Sequence, residues 1–260
     1  MDSSLWFTQL LCLLLFHSAS SLSLNSSFSS SQMPCPYDQI HALLQFKNSF
    51  SINTAASVNC SQTLYECEYA LPYPKTESWE EGTDCCSWDG VTCDLETGYV
   101  IELDLSSSML YGTFHSHNNS LFLLSHLQKL DLSNNDFIGS NISSQFGQLL
   151  HLTHLYLNQS GFEGHVPSEL SHLSNLVSLD LSRNYGLKLE AIAFNKLIHN
   201  LTKLRELGLN EVDMSMVAPS SFMNLSSSSL SSLNLQSCEL SSKFLTYVSL
   251  PSRLVSLDLS

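Results

Sequence analysis

Basic side chains are scarce in this sequence. Lysine and arginine together number 10 against 24 aspartates and glutamates, which gives a formal net charge of −14. Such a surplus of negative charge opposes binding to nucleic acid and to anionic membrane surfaces, because both carry the same sign. The acidity permits basic partners, although the solubility that net charge provides is by itself a sufficient reason for it.

Signatures of catalysis and of metal binding are also lacking. The chain has no G-x-S-x-G, HExxH, Walker or kinase motif and no C-x-x-C pair. His115 with His117, and His151 with His154, lack a matched carboxylate, so we interpret them as solvated side chains and not as metal ligands. We therefore expect no enzyme activity, no metal and no cofactor.

A third absence is a long apolar run. No later stretch has the roughly 20 uninterrupted apolar residues that a membrane-spanning helix needs. The shorter run from Leu10 to Phe16, followed by small residues from Ser18 to Ser21, predicts a secretory signal peptide over residues 1–23, although Asp2 and the lack of Lys or Arg depart from the usual n-region. We expect a serine-rich, unstructured lead over residues 24–34.

The cysteines and the sequons agree with secretion. Six of the eight cysteines cluster between residues 35 and 93, which predicts three disulfides in an oxidising compartment, and adjacent Cys85–Cys86 fits one tetrahedral zinc site poorly. Spacing leaves fifteen pairings open. We expect Cys35–Cys85, Cys86–Cys93 and Cys60–Cys67. Acceptor sequons for N-glycosylation occur at Asn25, Asn59, Asn118, Asn141, Asn158, Asn200 and Asn224.

The strongest signal is an internal repeat of the form L-x-x-L-x-L-x-x-N/C-x-L. Equivalent leucines recur in steps of 24 to 28 residues, within the leucine-rich-repeat range, at Leu103, Leu130, Leu155, Leu179, Leu207, Leu233 and Leu257. Each L-x-L is a short strand with inward leucines, and repeats have to stack because one cannot bury that face alone. The predicted fold is an α/β solenoid over residues 100–260, with a curved parallel sheet on its concave face, loops and short 3-10 turns on its convex face, and about six repeats plus a truncated seventh.

The ladder position, the N/C of the repeat, turns the chain away from the sheet. Asn135 and Asn184 satisfy backbone groups there, and serine does so more weakly at Ser108 and Ser160. Val212 offers no such hydrogen bond, so we expect an irregularity in the fifth repeat. Cys238 also occupies this position, and we interpret it as a free, packed thiol instead of an intermolecular disulfide or redox site.

Residues 35–99 form a predicted N-terminal cap for the solenoid. An amphipathic helix is expected from Tyr37 to Phe50, with Ile40, Leu43, Leu44 and Lys47 at helical spacing. Trp79 and Trp88 are expected in the cap core because of their large apolar area, with ligand stacking as the alternative. A turn at Thr97–Gly98 leads to the first strand at Tyr99.

These segments carry a family resemblance. The run from Cys35 to Lys47, Ser78-Trp79, and Asp84-Cys85-Cys86-Ser87-Trp88-Asp89-Gly90-Val91-Thr92-Cys93-Asp94 resemble the cap of plant extracellular leucine-rich-repeat proteins. Gly164-His165-Val166-Pro167 is similar to the plant-type G-x-[I/V]-P turn. The segment from Phe114 to Asp136 and the insertion with Cys60 and Cys67 look closest to tomato Cf-type receptor-like proteins.

The resemblance implies a function. Cf-type proteins carry many more repeats, a transmembrane helix and a short tail without a kinase; they detect secreted pathogen proteins and signal through a partner receptor kinase. We therefore expect a protein or peptide ligand, a receptor-kinase partner, and a place on the extracellular face of the plasma membrane. The chain stops inside a strand at Ser260, and an apoplastic, non-signalling fragment is one alternative. A soluble inhibitor resembling polygalacturonase-inhibiting proteins is the other.

Binding candidates flank the inward leucines on the concave face. They are Glu102, Asp104, Lys129, Asp131, His154, Tyr156, Asn158, Asp180, Glu206, Asn210, Asn234 and Gln236. Tyr156 and His154 are the most ligand-like, because exposed aromatic side chains anchor interfaces. The recurring aspartates, which include Asp258, also fit a solvated scaffold row. A glycan on Asn158 would cover part of this face.

Overall fold

The computed structural model describes residues 33–57, 71–114 and 119–259. The predicted signal peptide, the Cys60–Cys67 pair, the histidines His115 and His117, and the sequons at Asn25, Asn59 and Asn118 lie outside the described residues. None of the helices within the described ranges is long and apolar enough to cross a bilayer.

The leucine-rich segments form one eight-stranded sheet. Its strands are β2 (Val91–Cys93), β3 (Val100–Asp104), β5 (Lys129–Asp131), β7 (His154–Tyr156), β9 (Ser178–Asp180), β11 (Glu206–Gly208), β12 (Ser232–Asn234) and β13 (Ser256–Asp258). The strands β3 to β13 are parallel, and the inward leucine of each is in register with that of its neighbour. Only the cap strand β2 runs antiparallel, against β3. The predicted solenoid is confirmed.

The core is the leucine layer behind this sheet. From Leu103 to Leu233 the inward leucine of every strand is 0–2% exposed. Full burial of each such side chain contributes about 1.5–3 kcal/mol, so stacking is the main source of stability. Leu257 in β13 is only partly buried, since no further strand packs on it within the described part of the chain.

A second, smaller sheet lies on one side of the solenoid, and it was not expected from the sequence. Its parallel strands are β6 (Ser140–Asn141), β8 (Phe162–His165) and β10 (Gly186–Lys188). Each strand comes shortly after the ladder residue of its repeat, where the chain leaves the concave sheet for the convex side. The plant-type motif begins in the last two residues of β8, Gly164 and His165, and continues past the strand to Pro167. This sequence motif was the available signal for the second sheet.

The convex side is built mainly from short 3-10 helices, as predicted. They cover Asn119–Leu123, Ser144–Gln148, Ser168–His172 and Pro219–Ser227. The prediction is incomplete in the fourth repeat, where α2 (Ala191–Asn200) is a ten-residue α-helix. That repeat has the longest step, and Phe194 and Leu197 on one helix face are fully buried. A short helix, α3 (Phe244–Tyr247), serves the sixth repeat.

The cap begins with helix α1 (Tyr37–Lys47), three residues shorter than predicted. Its last hydrogen bonds tighten to a three-residue pattern, Ser49 N to Phe46 O and Phe50 N to Lys47 O, which ends the α-helix. The buried face is also shifted from the predicted one: it comprises Gln39, Ala42, Leu43 and Phe46, whereas Ile40, Leu44 and Lys47 are only partly buried. A short antiparallel pair of β1 (Ser51–Ile52) and β4 (Leu110–Tyr111) adds a second contact between cap and repeats.

Two tryptophans form the centre of the cap, which confirms the core interpretation. The rings of Trp79 and Trp88 stack with centroids 5.4 Å apart, and both side chains are buried. The Trp79 indole donates to the carbonyl oxygen of Asp89 at 3.0 Å. The turn before β3 depends on Gly98, whose φ is +72° and whose missing Cβ leaves room for the carbonyl oxygen of Pro34. The strand begins at Val100, one residue later than expected.

The asparagine ladder is present between the sheet and the convex side. The Asn184 amide donates to the carbonyl oxygens of Leu157 and Leu181, both at 2.9 Å, and its Oδ1 accepts from Ser160 N and Phe162 N of the previous repeat. Asn135 makes the equivalent bonds. At Val212 this side-chain bonding is replaced by apolar packing, yet β11 keeps its register with β9 and β12. The fifth repeat thus keeps its place in the concave sheet, but it adds only an isolated bridge, Lys188 to Asp213, to the second sheet.

Candidate binding surface on the concave sheet

The concave face presents three rows of side chains, because alternate strand residues point away from the leucine core. The first row is Glu102, Lys129, His154, Ser178, Glu206 and Ser232. The middle row is Asp104, Asp131, Tyr156, Asp180, Gly208 and Asn234. The last row is Ser106, Ser133, Asn158, Ser182, Asn210 and Gln236. Every predicted binding residue lies in one of these rows, and most are partly exposed.

The middle-row aspartates have a structural role that the sequence interpretation did not include. Oδ1 of Asp104, Asp131 and Asp180 accepts a hydrogen bond from the backbone N–H two residues later, at 3.0, 2.9 and 2.9 Å. Asn234 does the same for Gln236 at 3.2 Å. These bonds close the turn at the ends of β3, β5, β9 and β12, so the aspartates are partly buried turn-formers instead of a solvated charge row.

The cap covers the first end of the concave face. Lys75 is 9% exposed, and its Nζ donates to Asp104 Oδ1 at 2.9 Å and to Ser106 Oγ at 3.2 Å. The N–H of Tyr73 donates to the carbonyl oxygen of Ser107 at 3.1 Å. The carboxylate of Asp104 is therefore neutralised within the chain, which removes it from the residues best placed to bind a ligand.

The pKa values of two neighbouring aspartates on this row, Asp104 and Asp131, are shifted in opposite directions. Burial would raise the pKa of Asp104, but hydrogen bonds from Ser106 and Lys75 outweigh it and leave the pKa below its ordinary value. Burial dominates at Asp131 and, with the charge of Asp104, raises its pKa despite the hydrogen bonds from Ser133. Two causes make the difference: Asp131 is more deeply buried than Asp104, and Lys75 contacts Asp104 directly but reaches Asp131 only at longer range.

The aromatic candidates lie together on β7. The rings of His154 and Tyr156 are 6.1 Å apart, and both side chains are partly exposed on the concave face. His154 Nδ1 is 2.9 Å from Thr153 Oγ1. His151 stacks on His126, with ring centroids 6.0 Å apart. His151 and His154, the pair considered as metal ligands in the sequence, therefore contact different residues.

A notch interrupts the concave face where the middle row has no side chain. It is a cavity of about 270 Å³ around Gly208, bounded by Tyr156, Asp180, Glu206 and Asn234 among others. A Cβ at Gly208 would collide with the Asp180 carboxylate and lie 2.9 Å from Ser182 Oγ. The sequence analysis missed this site; its only signal was a glycine where every other complete repeat has a side chain.

The cap disulfides Cys35–Cys85 and Cys86–Cys93 are confirmed. All four sulfurs lie within 4.8 Å of one another, as two adjoining disulfides require. Cys238 is a buried, free thiol in the ladder position, also as predicted.

The sequon residues Asn141, Asn200 and Asn224 are exposed away from the concave sheet, whereas Asn158 borders the notch.

Comparison with known proteins identifies the family. A model of the leucine-rich-repeat N-terminal domain matches residues 36–58 and 67–94, and a model of the leucine-rich repeat matches residues 126–149. Receptor-like protein Cf-9 of Solanum pimpinellifolium is 47% identical over 213 residues, which are 81% of this chain and 24% of that protein. The chain belongs to the plant Cf-9-type receptor-like proteins.

Other members of this family are similar in sequence to most of this chain. Receptor-like protein 9DC1 of Solanum pimpinellifolium is 51% identical over 75% of this chain, and receptor-like protein 6 of Arabidopsis thaliana is 39% identical over 90% of it. The chain spans about a quarter of the length of these relatives, 22% and 24% respectively. They share a non-enzymatic binding scaffold.

Solved structures confirm the fold. The leucine-rich-repeat ectodomain of the Arabidopsis receptor kinase HAESA, in complex with an N-terminally extended IDA peptide hormone ligand, has a TM-score of 0.60 and 27% identity, and the match covers 85% of this chain and 33% of that ectodomain. The ectodomain of the Arabidopsis receptor kinase GASSHO1/SCHENGEN3 matches 75% of this chain and 23% of its own length, with a TM-score of 0.51 and 22% identity.

Proposed function

We propose that this chain is part of an extracellular recognition receptor of plant defence, which perceives pathogen-derived proteins or peptides and signals through a partner receptor kinase. The observation that carries the proposal is the concave sheet: a rigid, regular surface whose three outward positions hold a different combination of side chains in each complete repeat. The defence role and the partner kinase come from the resemblance to the Cf-type proteins. The two cap disulfides suit an extracellular location.

A surface of this kind suits binding to a macromolecule. Partly exposed Tyr156 and His154 lie on β7, and exposed Glu206 lies on β11. Both strands are held in place by main-chain hydrogen bonds on both sides. Side chains on rigid strands lose little conformational freedom on binding, so their contact energy is retained. The cap end of the face is already occupied by Lys75. The binding residues are therefore expected in β7 to β12.

Leaf cells that express the protein provide the test. Extracellular fluid from infected and from healthy tissue is applied, and the oxidative burst is measured. We expect a burst with infected fluid only, and its loss with Tyr156→Ala combined with His154→Ala. Tyr185→Ala is the matched control, because Tyr185 is 82% exposed but lies outside the three concave rows.

Two outcomes would contradict the proposal. One is an unchanged burst in the concave double variant, which would place recognition elsewhere. The other is absence of a burst together with direct inhibition of a fungal polygalacturonase by the purified protein, which would support the soluble-inhibitor alternative.

A further inference from the structure

The middle row of the concave face has one gap, at Gly208. Asp180 on β9 and Asn234 on β12 are in register with it on either side. Neighbouring strands lie about 4.8 Å apart, so the opening between these two side chains is roughly 10 Å wide. The cavity of about 270 Å³ is large enough for one long side chain of a ligand.

The packing around the notch requires a glycine at position 208. The Cβ of any larger residue at Gly208 would collide with the Asp180 carboxylate, which is fixed by its hydrogen bond from Ser182 N at 2.9 Å. The backbone of Gly208 has no positive φ, so the glycine is required for room and not for conformation. The missing side chain thus leaves room for the Asp180 carboxylate, which lies beside the Gly208 backbone at the edge of the cavity.

The charges around the notch are mostly negative. Asp180 and Glu206 lie on adjacent strands, diagonal to each other, and Glu206 is exposed. Asp180 uses Oδ1 for the turn, and a carboxylate has further acceptor lone pairs for a second partner. Among the described residues that line the notch only Arg183 is basic, and its guanidinium is directed to Gln159 Oε1 at 3.4 Å, along the rim.

Tyr156 supplies an aromatic wall two strands from Gly208. The face of a tyrosine ring attracts an ammonium or guanidinium group within about 6 Å of its centroid. Two carboxylates, one aromatic ring and the amides of Asn210 and Asn234 together make a set of acceptors that favours a cation with several N–H donors.

We propose that the Gly208 notch binds a lysine or arginine side chain presented by the protein ligand, with Asp180 and Glu206 as its charge partners. The proposal rests on the proposed function, since it specifies one contact of the same concave face. It implies that the cognate ligand exposes a basic residue where it meets β9 to β12.

Synthetic peptides test the notch without knowledge of the natural ligand. Biotinylated acetyl-Gly-Ser-Gly-X-Gly-Ser-Gly peptides, with lysine, arginine, norleucine or glutamate at X, are immobilised at high density, and binding of the secreted protein is measured. We expect lysine and arginine to give at least about a threefold higher response than norleucine and glutamate. Raising the salt from about 0.05 to about 0.5 M should reduce that difference, because exposed charges are screened.

Charge variants assign the effect to the notch. Glu206→Gln and Asp180→Asn should each reduce the lysine response about threefold or more. Asp180→Asn keeps the turn, since Asn234 accepts the equivalent backbone bond in its own repeat. Glu163→Gln is the control: it removes one exposed carboxylate from the second sheet and should leave the response unchanged.

Gly208→Asn fills the notch and should abolish the preference for basic peptides. If it fails to fold, the exposed Glu206→Gln variant still decides the question. Equal binding of lysine and glutamate peptides, or a preference for glutamate through Arg183, would overturn the proposal. An oxidative burst that survives Glu206→Gln and Asp180→Asn but is lost in the Tyr156→Ala, His154→Ala receptor would reject the notch while leaving the proposed function intact.

Discussion

The Cys238 thiol donates a hydrogen bond to the carbonyl oxygen of Leu209, 29 residues earlier, at 3.0 Å. It takes the place that the Asn184 amide has in the fourth repeat, where the same kind of contact reaches Leu157. Burial, offset only in part by hydrogen bonds from Val212 and Glu211, raises the pKa of the Cys238 thiol to about 11. The Cys238 thiol therefore replaces the asparagine amide as a hydrogen-bond donor of the ladder.

Cys238 should be chemically inert in the folded protein. At about pH 8 the raised pKa lowers the thiolate fraction about 100-fold, and burial blocks access as well. Alkylation by iodoacetamide, followed by mass spectrometry of the peptide with Cys238, should be at least about 100-fold slower than in urea with the disulfides intact. Labelling at similar rates in both conditions would contradict the ladder role.

Asn184 should be the more costly ladder residue to replace. Asn184→Ala removes the amide partner of the Leu157 and Leu181 carbonyls and the acceptor of two N–H groups, and we expect a loss of about 2–4 kcal/mol in the free energy of unfolding. Ser160→Ala removes one hydroxyl that contacts Leu132 O and Asn158 O, and about 1 kcal/mol is expected. Urea denaturation checks the order, and equal losses would show that packing controls this position.

Asp131→Asn and Asp104→Asn should change stability in opposite directions near neutral pH. The pKa of Asp131 is raised, so the folded state is penalised above that pKa. The Asp131→Asn variant should therefore gain about 0.5–1 kcal/mol while keeping the Oδ1 bond. The pKa of Asp104 is lowered and its stabilisation is present above the unfolded value, so the Asp104→Asn variant should lose about 1 kcal/mol.

Both effects should disappear in acid. As the pH falls below the unfolded aspartate pKa and through the lowered pKa of Asp104, the wild-type carboxyls become protonated and resemble the amides. Thermal melts at about pH 7 and about pH 2.5 measure the difference. The same sign for both variants near neutral pH would show that Lys75 does not separate the two sites.

Peptide mapping without reduction should recover the Cys35–Cys85 and Cys86–Cys93 links. The third link, Cys60–Cys67, stays a prediction from the sequence and should appear in the same digest. Because Cys85 and Cys86 are adjacent, cleavage cannot separate them easily, and stepwise partial reduction is needed to assign their partners. A crossed pairing of Cys35 with Cys86 would contradict the cap geometry.

The repeat and the cap could be predicted from local pattern. L-x-L recurring every 24 to 28 residues has one physical solution, stacked strands, because the leucines need neighbours to bury them. The ladder residues follow from the same alignment, and Trp79 and Trp88 follow from their size. The α-helix α2 was missed although Ala193, Phe194, Leu197 and Ile198 stand at helical spacing, because the repeat pattern predicted only loops and short 3-10 turns on the convex side.

What the sequence determined by itself is the periodic scaffold: inward leucines, ladder residues and the position of each concave row. Only the tertiary structure decided what each concave residue does. It paired Lys75 with Asp104 and set Gly208 against Asp180. Each of these two contacts joins residues about one repeat apart in the chain, so it depends on how the cap and the strands pack and not on local sequence.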